Sequence, residues 1–484
     1  MSKDYAGNGL AQKTISGMIW KLLEKFSSQG MQVVIQIVLA RLILPEEYGL
    51  VGLLTIFISI SDVFIMQGLT TALIQKQDAD KEDFSSVFIA NIFVSVVLYL
   101  ALYVGAPYVG AFYKNYSLTP IMRVLSLNVV FGAFAAVHNA ILSRNLDFRK
   151  SFFRKTANVL TQGIVGISLA LLNYGAWAVV YSKVAGTLVG AVVLWVTVKW
   201  HPELRFSFQR VRKLFSFSSK VLCTNLFNTA FNNIHSLIIG RFYSASDVGF
   251  YQRGQQMPQA MMGVVDGSMA EVLYPSFSKM QGDLSMLKKA LRKSISVSMY
   301  VTLPLLFGLL AISESFTLVL LTEKWLPSVP FMQLSCIVCM FWPLSHRTHA
   351  LNAIGLSNVT LKLSLIGKSI TLICIVVSLK MGVYALMLGT ICSSCINLWI
   401  TSHYVKKHIG YKKRELAADV LPSLAMSVVM CVIVMAIGSL DVNKGLVMAM
   451  QILAGVGIYV LQSMLVKPEP YKWVMQLILR VVQK

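Results

Sequence analysis

The stretch ARLILPEEYG (Ala40–Gly49) has a second version in the same chain, GRFYSASDVG (Gly240–Gly249). In each, a small residue precedes an arginine (Arg41, Arg241), an acid follows six positions on (Glu47, Asp247), and a glycine lies two beyond that (Gly49, Gly249). Long apolar runs flank both copies. A helix crosses the hydrocarbon core with about 20 apolar residues. Cutting the chain at its charged and Pro/Gly clusters yields spans near 15–42, 47–74, 84–112, 117–143, 149–172, 175–198, 211–242, 247–276, 290–320, 330–354, 358–380, 382–405, 415–438 and 444–466. The two junctions then join the first span to the second and the seventh to the eighth. An even number of helices separates them, so both copies face the same side, as in a parallel repeat about an axis along the membrane normal. The pattern predicts an all-α polytopic membrane protein with about 14 transmembrane helices. Two pseudo-symmetric six-helix lobes occupy 1–200 and 201–408, two further helices occupy 409–466, and a tail follows over 467–484.

Composition agrees. Of 484 residues 56% are hydrophobic and 13% charged, with a mean hydropathy of +0.66. Soluble domains carry about 25% charged residues, and one soluble core stops growing near roughly 250–300 residues. A net charge of +22 would suggest nucleic acid in a soluble chain, but here the charge sorts by loop. With the N-terminus inside, Arg41, Lys114, Arg241, Lys324, Lys380 and Lys444 are the basic residues of the outer loops. The clusters RNLDFRKSFFRK (144–155), RFSFQRVRK (205–213) and KKHIGYKKR (406–414) fall inside, as the positive-inside rule requires. These loops read as facing anionic lipid rather than nucleic acid, with both termini cytoplasmic. The opening MSKDYAGNGLAQKT is polar and the first apolar run holds Lys21, Glu24 and Lys25, unlike a cleavable leader. In the tail, Trp473, Val474, Leu477, Ile478 and Val481 share one face of a short basic helix, the pattern of an interfacial segment.

The first span carries Lys25, Ser28, Gln29, Gln32 and Gln36, and the seventh carries Asn225, Asn228, Thr229, Asn232 and Ser236. Spacings of three, four and seven keep each set on one helix face. Such stripes avoid lipid and turn toward the bundle interior or water; hydrogen bonding between helices is the plainer reading. Charges also fall within spans: Lys21, Glu24, Lys25, Asp62, Arg123, Lys183, Lys220, Arg253, Asp266, Glu271, Lys362 and Lys368. Basic groups outnumber acidic ones, which favours an anionic ligand such as a phosphate. Lys21, Lys183, Lys220 and Glu271 lie near span ends, where long side chains snorkel. Pro258 and Pro304 mark expected kinks, and Gly186/Gly190 and Gly263/Gly267 have the spacing of helix-packing motifs.

Catalytic and metal signatures are missing. The pairs Cys336/Cys339 and Cys392/Cys395 lie in apolar spans without a His or acid cluster and read as small buried hydrophobes, so no metal is expected. IGKS (366–369) lacks the glycine a phosphate loop needs, since Lys362 stands there. Asp78 and Asp80 sit in a short solvated loop, His346 and His349 flank Arg347 at a span end, and no nucleophile–histidine–acid arrangement appears. No cofactor and no enzymatic activity are expected.

WKLLEKFSSQGMQVVIQIVLARLILPEEYGLVGL (20–53) resembles the opening of bacterial polysaccharide exporters of the Wzx type, close to the colanic-acid-exporter branch. NNIHSLIIGRFYSASDVGFYQRGQQMPQ (232–259), EVLYPSFSKMQ (271–281) and LNAIGLSNVTLKLSLIGK (351–368) resemble later motifs of that family, and LSRNLDFRKSFF (142–153) its loop after helix four. The likeness covers most of residues 15–410. It implies the multidrug/oligosaccharidyl-lipid/polysaccharide flippase fold. It also implies passage of an undecaprenyl-pyrophosphate-linked oligosaccharide from the inner to the outer leaflet of the bacterial cytoplasmic membrane. Alternating access would drive this step in lipopolysaccharide, capsule or exopolysaccharide assembly. Membrane lipids and the polymerase and glycosyltransferases of the same pathway are the implied partners. On this reading Lys25, Arg123, Lys220, Arg253, Lys362 and Lys368 hold the anion. Gln29, Gln32, Gln36, Asn225, Asn228 and Asn232 meet the sugar, and Glu24, Asp62 and Asp266 pair with the cations or take a coupling ion. A drug or cation antiporter of the same superfamily should show an acid-dominated cavity instead. A membrane-embedded glycan polymerase or ligase should show a large outer loop, and every outer loop here is short.

Overall fold

In hydrocarbon each backbone N–H must find its acceptor within its own segment, so the apolar runs become helices. The structure, a computed structural model, describes residues 3–473 and 475 apart from 77, 146 and 204; within it the side chains of 3–19, 21, 22, 26, 217, 267, 268, 270–272 and 274 are not described. Lys21 and Glu271 therefore lie outside the described side chains. Most of the tail, including Val474, Leu477, Ile478 and Val481, lies outside the described residues.

The chain runs through α1 (Lys3–Leu42), α2 (Pro45–Gln67), α3 (Leu69–Gln75), α4 (Lys81–Phe112), α5 (Leu118–Leu125) and α6 (Leu127–Arg144). It continues through α7 (Phe148–Leu171), α8 (Ala176–Thr197), α9 (Phe208–Asn232), α10 (Ile234–Phe242), α11 (Ala245–Lys279) and α12 (Leu284–Phe316). The last six are α13 (Val329–Cys339), α14 (His346–Ala353), α15 (Ser357–Ser378), α16 (Val383–Ile409), α17 (Lys413–Gly438) and α18 (Lys444–Val466). Among the described residues 10 helical segments are long and apolar enough to cross a membrane. The four remaining expected spans fall on α1, α7, α9 with α10, and α11. These are helical but carry more polar side chains, and together with the ten they fit the expected count.

The chain forms two compact units, Met1–Gly249 and Phe250–Lys484. In the first, α1 packs along α7, α7 along α8, α4 on α6, and α2 on α6 and α9. The sequence division after residue 200 and this packing division differ, because α9 lies against α2, α3 and α4. At its start Arg210 reaches three acids, Asp80 at 2.6 Å, Glu82 at 2.9 Å and Asp83 at 3.2 Å. In the second unit α12 is the post around which α17 and α18 pack. Arg292 holds Asp419 bidentately at 2.9 and 2.7 Å. Tyr300 donates to Ser463 at 2.7 Å, and Tyr459 donates to the Tyr300 carbonyl at 2.8 Å. The last two helices are thus fastened by polar contacts between otherwise apolar faces.

The doubled junction has a physical reason. Glu47 accepts from the Leu44 amide at 3.1 Å, and Asp247, at the same offset, accepts from the Ser244 amide at 3.1 Å. Each acid thereby closes a free N–H at a helix start. Both copies lie in the first unit and meet reciprocally: a Cβ on Gly49 would stand 1.8 Å from the Ala245 carbonyl oxygen, and one on Gly249 2.2 Å from that of Pro45. Only hydrogen fits at either position. Of the expected packing motifs, Gly186 and Gly190 do lie against a neighbour, α7, whereas Gly263 has open space beside it. The helices containing Pro258 and Pro304 run on past them.

Candidate functional site

Each unit holds a polar recess of its own. In the first unit, a cavity of about 430 Å³ is bordered by Gln32 of α1, Asp62 of α2, Asn128 of α6, Arg154, Asn158 and Gln162 of α7, and Lys183 and Thr187 of α8. Lys183 and Asp62 lie within electrostatic reach of each other. Gln162 donates to Asn158 at 2.6 Å. The α8 glycines make room for these amides: a Cβ on Gly186 would stand 2.5 Å from Gln162 Cγ, and one on Gly190 3.2 Å from Asn158 Nδ2. Arg154 Nε is buried without a hydrogen-bond partner. An ionised group at mid-bilayer costs at least about 2.5–3.5 kcal/mol on insertion scales. Opposed charges in a polar pocket lower that cost.

In the second unit, a groove of about 820 Å³ runs along α15 and is walled by α14 and α16. Ser357, Thr360, Ser364, Lys368 and Thr371 of α15 face Thr348 and Asn352 of α14 and Asn397 and Thr401 of α16. Thr360 donates to Asn352 at 2.6 Å, and Thr371 donates to Ser393 at 3.1 Å. A smaller recess of about 210 Å³ shares Thr348, Asn397 and Thr401 with the groove and adds Arg347. That arginine is buried and donates to Ser402 at 2.7 Å and to the Leu344 carbonyl at 3.0 Å.

The expected site residues disperse. Gln32 and Asp62 border the first cavity and Lys368 the groove. Glu24, 3% exposed, forms an ion pair with Lys155 of α7. Arg123 donates to the Tyr103 carbonyl at 3.4 Å and lies 4.5 Å from that ring's centroid. Arg253 is buried, 5.1 Å from the Trp325 ring, and donates to Gln256 at 2.6 Å; its place is a packed core rather than either recess. Asp266 Oδ1 lies 3.3 Å from His346 Nε2. Lys220, Asn232 and Lys362 are exposed, and Lys25, Gln29, Gln36, Asn225 and Asn228 are half-buried; none of these eight lines the two recesses.

Sequence reasoning missed Arg154, Asn158 and Gln162, although their four-residue spacing in RKTANVLTQ puts them on one helix face. It placed Lys183 with the snorkelling ends, whereas the side chain borders the cavity. The hydroxyls of α15 were passed over because Ser and Thr can satisfy themselves on their own helix.

The chain is 28% identical over 323 residues to the succinoglycan biosynthesis transport protein ExoT of Rhizobium meliloti, covering 66% of this chain and 65% of that protein. It is 25% identical over 335 residues to the lipopolysaccharide biosynthesis protein WzxC of Escherichia coli, covering 68% and 67%. The matched stretch thus spans about two thirds of these relatives. Among solved structures, the lipid II flippase MurJ in an inward closed conformation matches with a TM-score of 0.75 at 14% identity, over 92% of this chain and 98% of that one. An inward-facing multidrug resistance MATE family transporter of the MOP superfamily matches at 0.62 and 13%, over 81% and 99%. At such identities the structural likeness is one of fold. A family profile described as polysaccharide biosynthesis protein matches residues 38–330, more than half of the sequence, and the chain belongs to that family of multi-pass membrane proteins.

Proposed function

We propose that the protein is a flippase, not an enzyme, that moves an undecaprenyl-pyrophosphate-linked oligosaccharide from the inner to the outer leaflet of the cytoplasmic membrane by alternating access. The product would feed polysaccharide assembly alongside the polymerase and glycosyltransferases of the same pathway. Both termini are cytoplasmic in this reading, and the repeat divides the helices after residues 200 and 408, with 409–466 appended. The observation that carries it is the pair of polar, cation-bearing recesses inside apolar helical units in a chain of the polysaccharide biosynthesis family. A positively biased interior suits a phosphate-bearing cargo. A drug or cation antiporter would place acids in excess there, yet in the first cavity Asp62 faces both Lys183 and Arg154.

The test is leaflet accessibility of labelled lipid-linked sugar in cells depleted of the protein. Accumulation on the inner face, reversed by re-expression, supports the reading. Arrival at the outer face at the normal rate without the protein overturns it.

A further inference from the structure

The groove along α15 has a chemistry that membrane insertion alone does not call for. The helix has 22 residues, about 33 Å at 1.5 Å per residue, which matches the hydrocarbon thickness. One side is apolar and exposed, with Leu365, Leu372, Ile373, Val376 and Val377. The other side carries Ser357, Thr360, Ser364, Lys368 and Thr371 in register along the groove, a run of about 21 Å. Lys368 stands near the middle of the helix. Gly367 beside it admits α16: a Cβ there would lie 2.7 Å from Asn397 Oδ1. Among the described residues that line the groove none is a carboxylate, and the adjoining recess brings a second cation, the buried Arg347.

Hydroxyls and amides each donate and accept, so a row of them complements a ligand that does the same along its length, as a sugar chain does. An ammonium offers a point charge suited to phosphate. We infer that this groove of the second unit is a glycosyl-phosphate subsite, in which the α15 hydroxyls and Asn397 take the sugar residues and Lys368 takes the phosphate. This rests on the flippase reading and assigns one part of the cargo to one helix face.

The test uses the full-length protein in phosphatidylcholine nanodiscs and two synthetic probes, farnesyl pyrophosphate and farnesyl-pyrophosphoryl-N-acetylglucosamine. Lys368→Met should weaken both probes about tenfold, the size of one lost charge-assisted contact of about 1.4 kcal/mol, and Lys368→Arg should retain most of the binding. The paired change Ser364→Ala/Thr371→Val should weaken only the sugar-bearing probe, by about fivefold, which is the loss of two modest hydrogen bonds of about 0.5 kcal/mol each. Equal effects of the hydroxyl variant on both probes, or no effect of Lys368→Met on either, would overturn the assignment. So would wild-type binding that is abolished when a quarter of the lipid is phosphatidylglycerol, because the groove would then be a phospholipid headgroup site. The same variants are read by the leaflet assay at matched protein level. Normal flipping by Lys368→Met sinks the subsite while leaving the flippase reading intact, whereas normal flipping without any protein sinks that reading itself.

Discussion

The recess of the first unit and the groove of the second handle charge in opposite ways. In the first, Asp62 answers Lys183 across a cavity that also holds Arg154, and charges offset one another within the wall. In the second, Lys368 and the nearby Arg347 sit among hydroxyls and amides, and the described lining residues include no acid. Yet local backbone features recur. The junctions at 44–49 and 244–249 close the same amides with the same kind of acid. The helices α4 and α12 also each open on an aspartate cap, Asp80 and Asp283. The two junctions thus share the feature that starts their helices while the two recesses are lined differently, so common backbone devices and divergent chemistry coexist in one chain.

The largest effect should come from the shared part. Gly49→Ala drives a methyl into a backbone carbonyl at 1.8 Å, and Gly249→Ala does the same at 2.2 Å. Neither oxygen is a flexible side-chain end. Each variant should cost stability at or above the top of the roughly 1–3 kcal/mol range of overpacking. Yield of monodisperse protein and melting temperature in detergent would show it. Because the contacts are reciprocal, the two variants should fall together; one harmless and one severe variant would break the equivalence of the two copies.

The next effect belongs to the first unit. Lys183→Met leaves Asp62 facing the cavity without its lysine. Breaking a buried contact pair costs about 3–5 kcal/mol; these two half-buried charges share a wettable cavity without direct contact, which puts the expected loss lower, at about 1–2 kcal/mol. The double change Asp62→Asn/Lys183→Met should recover most of that stability, as coupled neighbours do, while export stays impaired. If the double variant is no more stable than the single one, the two charges are not partners, and the contrast between the units loses its basis.

The spans, the repeat and the junction were legible because apolar run length and a doubled ten-residue pattern are properties of the chain itself. Pockets are not. Gln32 was found because a glutamine in an apolar helix is conspicuous. Gln29, three residues earlier on the same stripe, lines neither recess, since a stripe about one turn wide contains residues on both sides of a cavity edge. Arg253 looked like a ligand-binding cation, but it stacks on Trp325 inside the second unit, a tertiary partner 72 positions away that no local pattern names. Arg154 escaped notice because it closes a basic cluster that reads as a loop by its charge, although the expected span 149–172 and α7, which begins at Phe148, both carry it inside the helix. Weighing the cluster by its charge rather than by its place in the span thus hid a residue of the lining.

The smallest effect compares the two aspartate caps. Asp80 accepts from the Asp83 amide at 2.9 Å and from Arg210 at 2.6 Å. Asp283 accepts from the Ser285 and Met286 amides, each at 2.9 Å. Loss of an N-cap side chain costs about 0.5–2 kcal/mol, and an exposed ion pair adds only about 0.2–1 kcal/mol. Asp80→Ala should therefore destabilise slightly more than Asp283→Ala, with both near 1 kcal/mol in order of magnitude. The Asp83 amide, then Arg210, holds the Asp80 carboxyl below its ordinary value of 3.8. A carboxyl depressed in the folded state contributes stability that is complete above its unfolded value and fades as pH falls through the folded one. The penalty of Asp80→Ala should thus be constant from neutral pH down to about 5 and shrink only below about 4, read as the difference in melting temperature between variant and parent across that range. A penalty that grew on acidification would mean that the carboxyl is stabilised in its protonated form, and the cap and Arg210 would then not be what orders the start of α4.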